Sequence, residues 1–389
     1  MAAVGRRIRS LRSLVGKDPV LAIATVLALA SCAAVPPDAG YADYVDLHTI
    51  GLLFSLMAAM TGLSRAGVFR VACRHLLAAI RGTRPLILAL TLLAFFSSMF
   101  ITNDVALVTF VPLALLALDS LRSPKLTCFT VVMMTIAANV GSMLTPVGNP
   151  QNLYLYSASG MPLPDFILLV APYAAAALVM LAIVIVVAGR ALKRDGIEEL
   201  ADARRGRAPV TATAEPDALA PARIVPWVAV FAVSLLAVAH VVPVGVPVAV
   251  ALLVGVATDR GALAHVDYGL LVTFVAFFVF VGNMGRIEAV DAFIASVVAG
   301  HELIVSVVAS QVLSNVPTAI LLSGFTSDLS ALIVGTNIGG LGTLIASMAS
   351  LISYKQLALW LPAHKGRYLV MFTAWNVAFL VVLLALALL

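Results

Sequence analysis

Inside long apolar stretches, this 389-residue chain carries four short polar clusters. They are Thr102-Asn103-Asp104, Gly148-Asn149-Pro150-Gln151-Asn152, Ser314-Asn315-Val316-Pro317 and Ala346-Ser347-Met348-Ala349-Ser350. Their side chains are hydroxyls, carboxamides and one carboxylate, set among glycine and proline. Such residues interrupt helices: Pro lacks an N–H donor, Gly lacks a side chain, and Ser and Asn compete for backbone hydrogen bonds. Half-helix N-termini then present unpaired N–H groups and a positive dipole end, which suit an anion. Half-helix C-termini and unwound carbonyls suit a small cation. The chemistry on offer is joint binding of a small anionic solute and a coupling ion, without a buried Arg or Lys. No nucleophile–base pair, HExxH or paired-cysteine spacing accompanies it, so the sequence argues against an enzyme, a metal enzyme or an organic cofactor.

Two of the clusters belong to an internal repeat. Residues 139–156 align without a gap on residues 337–354, 198 positions later. Asn139/Asn337, Gly141/Gly339, Thr145/Thr343, Leu153/Leu351 and Tyr156/Tyr354 are identical. Unwound backbone survives in a bilayer only where it lines a cavity or is buried in protein. A matching pair of interrupted segments in two halves of an apolar chain is a pointer to a transporter's binding site.

Asp104 is the only acid between residues 86 and 118. An acid at a membrane-helix centre costs roughly 2.5–3.5 kcal/mol to insert. Three roles stay open for it: proton acceptor in a coupling step, charge at a sodium site, or cap of the following half-helix. Ser97, like many hydroxyls in membrane helices, reads as a local hydrogen-bonding group. Gln151 can orient a solute or fill a helix interface. His240 and His301 read as interfacial.

The elements that must position these groups follow from composition. The chain is 62% hydrophobic and 11% charged, against about 25% charged in a soluble domain. It reads as an integral membrane protein. Apolar segments near 19–35, 46–62, 126–157, 163–189, 225–243, 244–258, 266–284, 328–352 and 368–389 are span candidates. The net charge of +5 is read by location and implies no nucleic-acid partner. Basic flanks mark the cytoplasmic side: Arg6–Lys17, Arg65–Arg84, Arg122 with Lys125, the 190–223 segment, and Lys355–Arg367. Arg6, Arg7, Arg9 and Arg12 before an apolar run resemble a secretory signal, but the segment reads as a retained first helix.

The fold expected is an all-α polytopic membrane protein. It has inverted repeats, two re-entrant hairpins and two broken transmembrane helices. A basic tail (1–18) precedes a first repeat (19–190) with a hairpin at 85–118 and a broken helix at 126–157. A cytoplasmic linker (191–223) leads to a second repeat (224–389) with a hairpin at 302–325 and a broken helix at 328–352. The N-terminus is expected in the cytoplasm of a cell with this protein in its inner membrane, and the C-terminus outside.

At the first three of these clusters and at Gly342-Thr343-Leu344-Ile345-Ala346-Ser347, the chain resembles the ion transporter superfamily. Within it, the pattern is similar to citrate-transporter-like permeases related to divalent anion–sodium symporters and arsenite efflux permeases. The resemblance covers about residue 20 to the end. It implies one sodium site near Ser98, Thr102, Asn103 and the Gly148 carbonyl, to which Asp104 adds charge in one of its three open roles. It implies a second near Ser310, Leu313, Asn315 and the Ala346 carbonyl. Substrate is implied between Asn103, Asn149, Asn315 and Ser347, with Thr102, Asp104 and Ser314 beside it. Asp104 and Val316 stand where sodium–dicarboxylate members carry Thr. The second break lacks the usual prolines. The resemblance further implies sodium or proton coupling, an elevator-type homodimer, and, as the alternative, an efflux antiporter for oxyanions or for sodium against protons.

Overall fold

The computed structural model describes residues 19–80, 82–119, 121, 123–194 and 221–389. The basic tail, Arg81, Arg122 and most of the charged linker (195–220) lie outside the described residues. Every regular element among the described residues is helical. Among the described residues, seven helices are long and apolar enough to cross a membrane, as a multi-pass membrane protein requires.

Helix α1 (Pro19–Ala34) packs along α13 (Tyr268–Gly285). Asn283 of α13 donates to Ser31 Oγ and to Tyr41 Oη, both at 2.9 Å, which fastens the first helix and the short α2 (Tyr41–Tyr44). A layer of α3 (Leu47–Arg65), α10 (Pro221–Val238) and α11 (Gly245–Thr258) stands beside them. Gly62 admits the buried Trp227 indole there: a Cβ at that glycine would sit 2.1 Å from the ring. The short α12 (Arg260–Ala264) brings Asp259 to Arg65 at 2.7 Å. Both side chains are partly exposed, so this pair adds little stability.

One order of elements occurs twice. In the first half α3 is followed by amphipathic α4 (Val68–Ala79), then α5 (Thr83–Ile101) and α6 (Asn103–Asp119) joined at Thr102. Next come α7 (Pro124–Ser142), a break, α8 (Pro150–Ser159) and long α9 (Leu163–Arg194). In the second half α13 is followed by α14 (Glu288–Val298), then α15 (Glu302–Leu313) and α16 (Asn315–Ser323) joined at Ser314. Then come α17 (Leu329–Gly339), a break, α18 (Met348–Trp360) and α19 (Lys365–Ala387). α14 and α15 meet at 108°. The base of the second hairpin is closed by Thr326, whose hydroxyl donates to Glu302 Oε1 at 3.0 Å.

The breaks begin and end for local reasons. Ser123 and Pro124 start α7, with Ser123 Oγ accepting from Leu126 N. Asp328 caps α17, accepting from Ala331 N. Helix α7 is buried on every side from Leu126 to Ser142, the mark of a helix at the centre of a bundle. The hairpins ride on these central helices through glycine. A Cβ at Gly141 would lie 2.2 Å from the Phe95 carbonyl oxygen and 2.8 Å from Ser98 Oγ. A Cβ at Gly339 would lie 2.8 Å from Ser310 Cβ and 3.1 Å from Val307 Cα. Phe95 and Ser98 stand in the first hairpin where Val307 and Ser310 stand in the second, 212 positions later. Both halves thus use one contact, a small residue that lets two membrane helices approach closely.

Candidate polar centre

The two hairpin tips share an unusual backbone. Thr102 has φ 64° and ψ 151°, and Ser314 has φ 78° and ψ 154°. That region is occupied almost only by glycine and costs of order 1–3 kcal/mol for other residues. Keeping a hydroxyl residue there twice, at equivalent positions, points to a use for the hydroxyl. The tips then start their second helices alike. Asn103 Oδ1 accepts from Asp104 N at 3.0 Å, and Asn315 Oδ1 accepts from Val316 N at 2.9 Å. Replacing Thr102 or Ser314 by glycine is expected to leave melting temperature level or raised by a few degrees, because relieved strain outweighs the flexibility gained by the unfolded chain. Solute binding is expected to weaken in the same proteins. A fall in melting temperature with unchanged binding would assign the hydroxyls a purely structural part.

The two breaks are joined by a crossed pair of carboxamides. Asn139, at the end of α7, accepts at Oδ1 from Asn103 Nδ2 and from Ser347 Oγ, both at 3.0 Å. Its Nδ2 donates to Ser350 Oγ at 3.2 Å. Asn337, at the end of α17, accepts at Oδ1 from Asn149 Nδ2 at 3.2 Å. Its Nδ2 donates to Asn152 Oδ1 at 2.5 Å and to the Ile333 carbonyl at 2.7 Å. Asn149 and Asn152 stand in the first break where Ser347 and Ser350 stand in the second. Each half therefore sends one asparagine into the other half's break, to the same two positions. All six side chains are buried.

The backbone of each break is held separately. Asn149 caps α8, its Oδ1 accepting from Asn152 N at 2.9 Å, and its Nδ2 also reaches Ser142 Oγ at 3.2 Å. Asn152 Nδ2 donates to the Met143 carbonyl at 3.1 Å. Thr145 donates to the Met99 carbonyl of the first hairpin. In the second break Gln311 does this work: its Nε2 reaches the Gly339 and Leu341 carbonyls at 2.8 and 3.0 Å, and its Oε1 accepts from Thr343 N at 2.9 Å. The second tip is tied to the second break by Asn315 N and Ser314 Oγ, both donating to the Ala346 carbonyl, at 3.0 and 3.4 Å. Asn315 Nδ2 makes no hydrogen bond among the described residues and faces Gly340 Cα closely enough that a Cβ there would lie 2.9 Å away.

The residues singled out in the sequence are thus distributed as follows. Asn103, Asn149, Ser314, Asn315, Ala346 and Ser347 meet in one buried polar centre, and Thr102 is half-buried next to Asn103 at the first tip. Ser98 and Ser310 lie against Gly141 and Gly339, with their hydroxyls donating to the Phe95 and Ser306 carbonyls of their own helices. Gly148 is buried against Ser142, and Leu313 is half-buried one residue before the tip. Asp104 is half-buried, and its carboxylate makes no hydrogen bond among the described residues. The capping role open to it in the sequence falls instead to Asn103 Oδ1 and, more weakly, to Thr102 Oγ1, 3.5 Å from Val105 N. Asp267, at the start of α13, is close enough for its charge to act on Asp104. Ser97 donates to the Leu93 carbonyl of its own helix.

Gln311 stands one turn before the second tip, where the sequence already offers it as a polar group, whereas Asn139 and Asn337 are functional positions that residue types alone do not single out. For the two asparagines the signal was present, since they are identical positions of the repeat, each ten residues before the break residue Asn149 or Ser347.

The family model described as "Citrate transporter" matches residues 15–330. The chain is 29% identical over 316 residues to the inner membrane protein YbiR of Escherichia coli (strain K12), covering 80% of each protein. It is 28% identical over 285 residues to an uncharacterized transporter of Methanocaldococcus jannaschii, covering 71% of this chain and 72% of that one. It is 33% identical over 138 residues to the silicon efflux transporter LSI3 of Oryza sativa subsp. japonica, covering 36% of this chain and 28% of that protein. With its membrane-spanning helices and its two interrupted segments, the chain belongs to the citrate transporter family and is a membrane transporter.

Proposed function

We propose that this protein is a secondary active transporter of a small anion or organic acid, driven by sodium or protons. The two halves are inserted in opposite orientations in the inner membrane, with the N-terminus in the cytoplasm and the C-terminus outside. The hairpins are re-entrant and move with the broken helices, elevator-fashion, against the layer of α3, α10 and α11 in a homodimer. One observation carries the reading: the crossed carboxamides join both breaks and the first tip, and the Ala346 carbonyl ties the second tip to the second break beside them. Inverted repeats with discontinuous helices bind solute and coupling ion at such a centre. Solute lies among Asn103, Asn149, Asn315 and Ser347. The coupling ion uses hydroxyls and carbonyls around Ser98, Thr102, Gly148, Ser310, Leu313 and Ala346, with Asp104 as the charged member.

A second reading keeps the centre and reverses the direction: efflux of an oxyanion, or of sodium, against protons. The name of the rice relative, a silicon efflux transporter, favours it. Purified protein in proteoliposomes, with sodium and proton gradients imposed separately and in each direction, tests both. Coupled flux of a citrate-like acid supports the first reading, and gradient-driven extrusion of an inorganic oxyacid supports the second. Unsaturable flux with no driving ion would make the protein a channel and overturn both. Asp104→Asn is expected to abolish the dependence of flux on the driving ion, leaving at most slow downhill exchange. An unchanged ion and pH profile would remove Asp104 from the coupling step.

A further inference from the structure

Two buried polar side chains, on helices that pack on each other, lie outside the hydrogen-bond network of the polar centre. Gln151 is 1% exposed and Thr318 fully buried. Neither Gln151 Nε2, Gln151 Oε1 nor Thr318 Oγ1 has a hydrogen-bond partner among the described residues. Gln151 lies in the first turn of α8, just past the first break, and Thr318 in the first turn of α16, just past the second tip. The two helices pack on each other, and one to two turns further along them Tyr154 Oη and Ser323 Oγ are 2.8 Å apart. Both helices thus start at the polar centre and carry these unpaired groups within one turn of it.

Packing does not require the pair. At the equivalent positions of the opposite halves stand Ala349 and Ala106, on α18 and α6, which also pack on each other and are fully buried. The same interface is therefore closed once with alanine alone. Burying an unpaired amide and hydroxyl costs free energy, most of all within a bilayer, so an arrangement that retains them implies a ligand that completes them. The chemistry of the three atoms restricts that ligand. Nε2 only donates, Oε1 only accepts, and the Thr hydroxyl does both. A carboxylate accepts only and would leave Oε1 facing an anion. An uncharged hydroxyl both donates and accepts, and satisfies the set.

We infer that Gln151 and Thr318 form a subsite beside the polar centre that takes an undissociated hydroxyl of the transported solute. This rests on the transporter reading above and narrows its substrate class to hydroxy acids or undissociated oxyacids. The hydroxyl has two sources that one experiment separates. Binding of citrate, of tricarballylate (citrate without its hydroxyl) and of arsenous acid is measured on purified wild-type protein, Gln151→Leu and Thr318→Val, by isothermal calorimetry. Melting temperature is recorded for each. If the hydroxyl belongs to a hydroxy acid, wild-type protein binds citrate at least about tenfold more tightly than tricarballylate, the scale by which a site built to hydrogen-bond a hydroxyl rejects an analogue lacking it. Both variants lose that preference and keep their affinity for tricarballylate. If it belongs to an oxyacid, wild-type protein binds arsenous acid and both variants bind it at least about tenfold more weakly. In either case the variants melt at or above the wild-type temperature, because an unpaired buried polar group has been replaced by an apolar one.

Wild-type binding that both variants reproduce would overturn the subsite and leave the transporter reading intact. Equal affinity of wild-type protein for citrate and tricarballylate, without binding of arsenous acid, would also overturn it. A lower melting temperature with unaltered affinities would show a packing role or a trapped water, again against the inference. Failure of wild-type protein to bind any of the three would overturn both the subsite and the proposed substrate class.

Discussion

Asn139→Ala and Asn337→Ala are each expected to abolish transport while leaving a folded, membrane-inserted protein. Asn139 holds three side chains from other elements: Asn103, Ser347 and Ser350. Interhelical hydrogen bonds in membrane proteins average about 0.6 kcal/mol each, so losing three costs on the order of 2 kcal/mol of stability. The functional loss is larger, because the removed group sets the position of a tip against a break. Misplacing a reacting group by about 1 Å costs on the order of a hundredfold in enzymes, and a binding centre assembled from four separate segments is equally sensitive. Initial rates in proteoliposomes, normalised to monodisperse reconstituted protein, provide the measurement. Rates above half of wild type for either variant would show that the crossed carboxamides are dispensable. The paired variant Asn139→Ala/Ser347→Ala adds a check: coupled residues give a combined loss smaller than the sum.

Gly141→Val is expected to yield no folded protein, and Gly339→Val a severely destabilised one. The obstacle at Gly141 is the Phe95 carbonyl oxygen, 2.2 Å from where a Cβ would sit, and backbone cannot swing aside. Overpacking a well-filled interior costs about 1–3 kcal/mol even when side chains can give way, and more here. At Gly339 the first obstacle is Ser310 Cβ at 2.8 Å, with Val307 Cα behind it at 3.1 Å. That contact yields partly. Gly285→Ala is the control, since nothing lies within 4 Å of a Cβ there. Size-exclusion profiles and melting curves in detergent rank the three. A monodisperse Gly141→Val protein with wild-type melting would mean that the first hairpin does not rest on α7 as described.

Much of this architecture is legible from residue types because a bilayer punishes irregular backbone. Glycine, proline and asparagine at 148–152 had to mark an interruption, and α7 does end at Ser142 before α8 resumes at Pro150. The second break was harder to delimit. It lacks proline, and α18 runs on to Trp360, beyond the expected end at 352, because Lys355 and Gln356 dilute the apolar pattern without stopping the helix. Identity at 139 and 337 revealed the repeat but not the reach of those side chains. Periodicity reports which face a residue occupies, whereas a bond across the midline depends on how two broken helices cross. The strained tips were hidden for a different reason. Their conformation suits glycine, and the chain places Thr102 and Ser314 there, so propensity points away from the observed geometry. In sequence Gln151 can equally orient a solute or fill an interface and Thr318 carries no signal, and their missing partners are what sets both apart.

The exchange of asparagines has a bearing on descent. Residue pairs that contact each other reciprocally, i with j and j with i, are the signature of two identical subunits related by a twofold axis. Asn139 with Ser347 and Asn337 with Asn149 keep that reciprocity inside one polypeptide. Fusion of two copies of a self-pairing half-length unit would give this reciprocity, and the serines of one break against the asparagines of the other would then mark how far the copies have diverged.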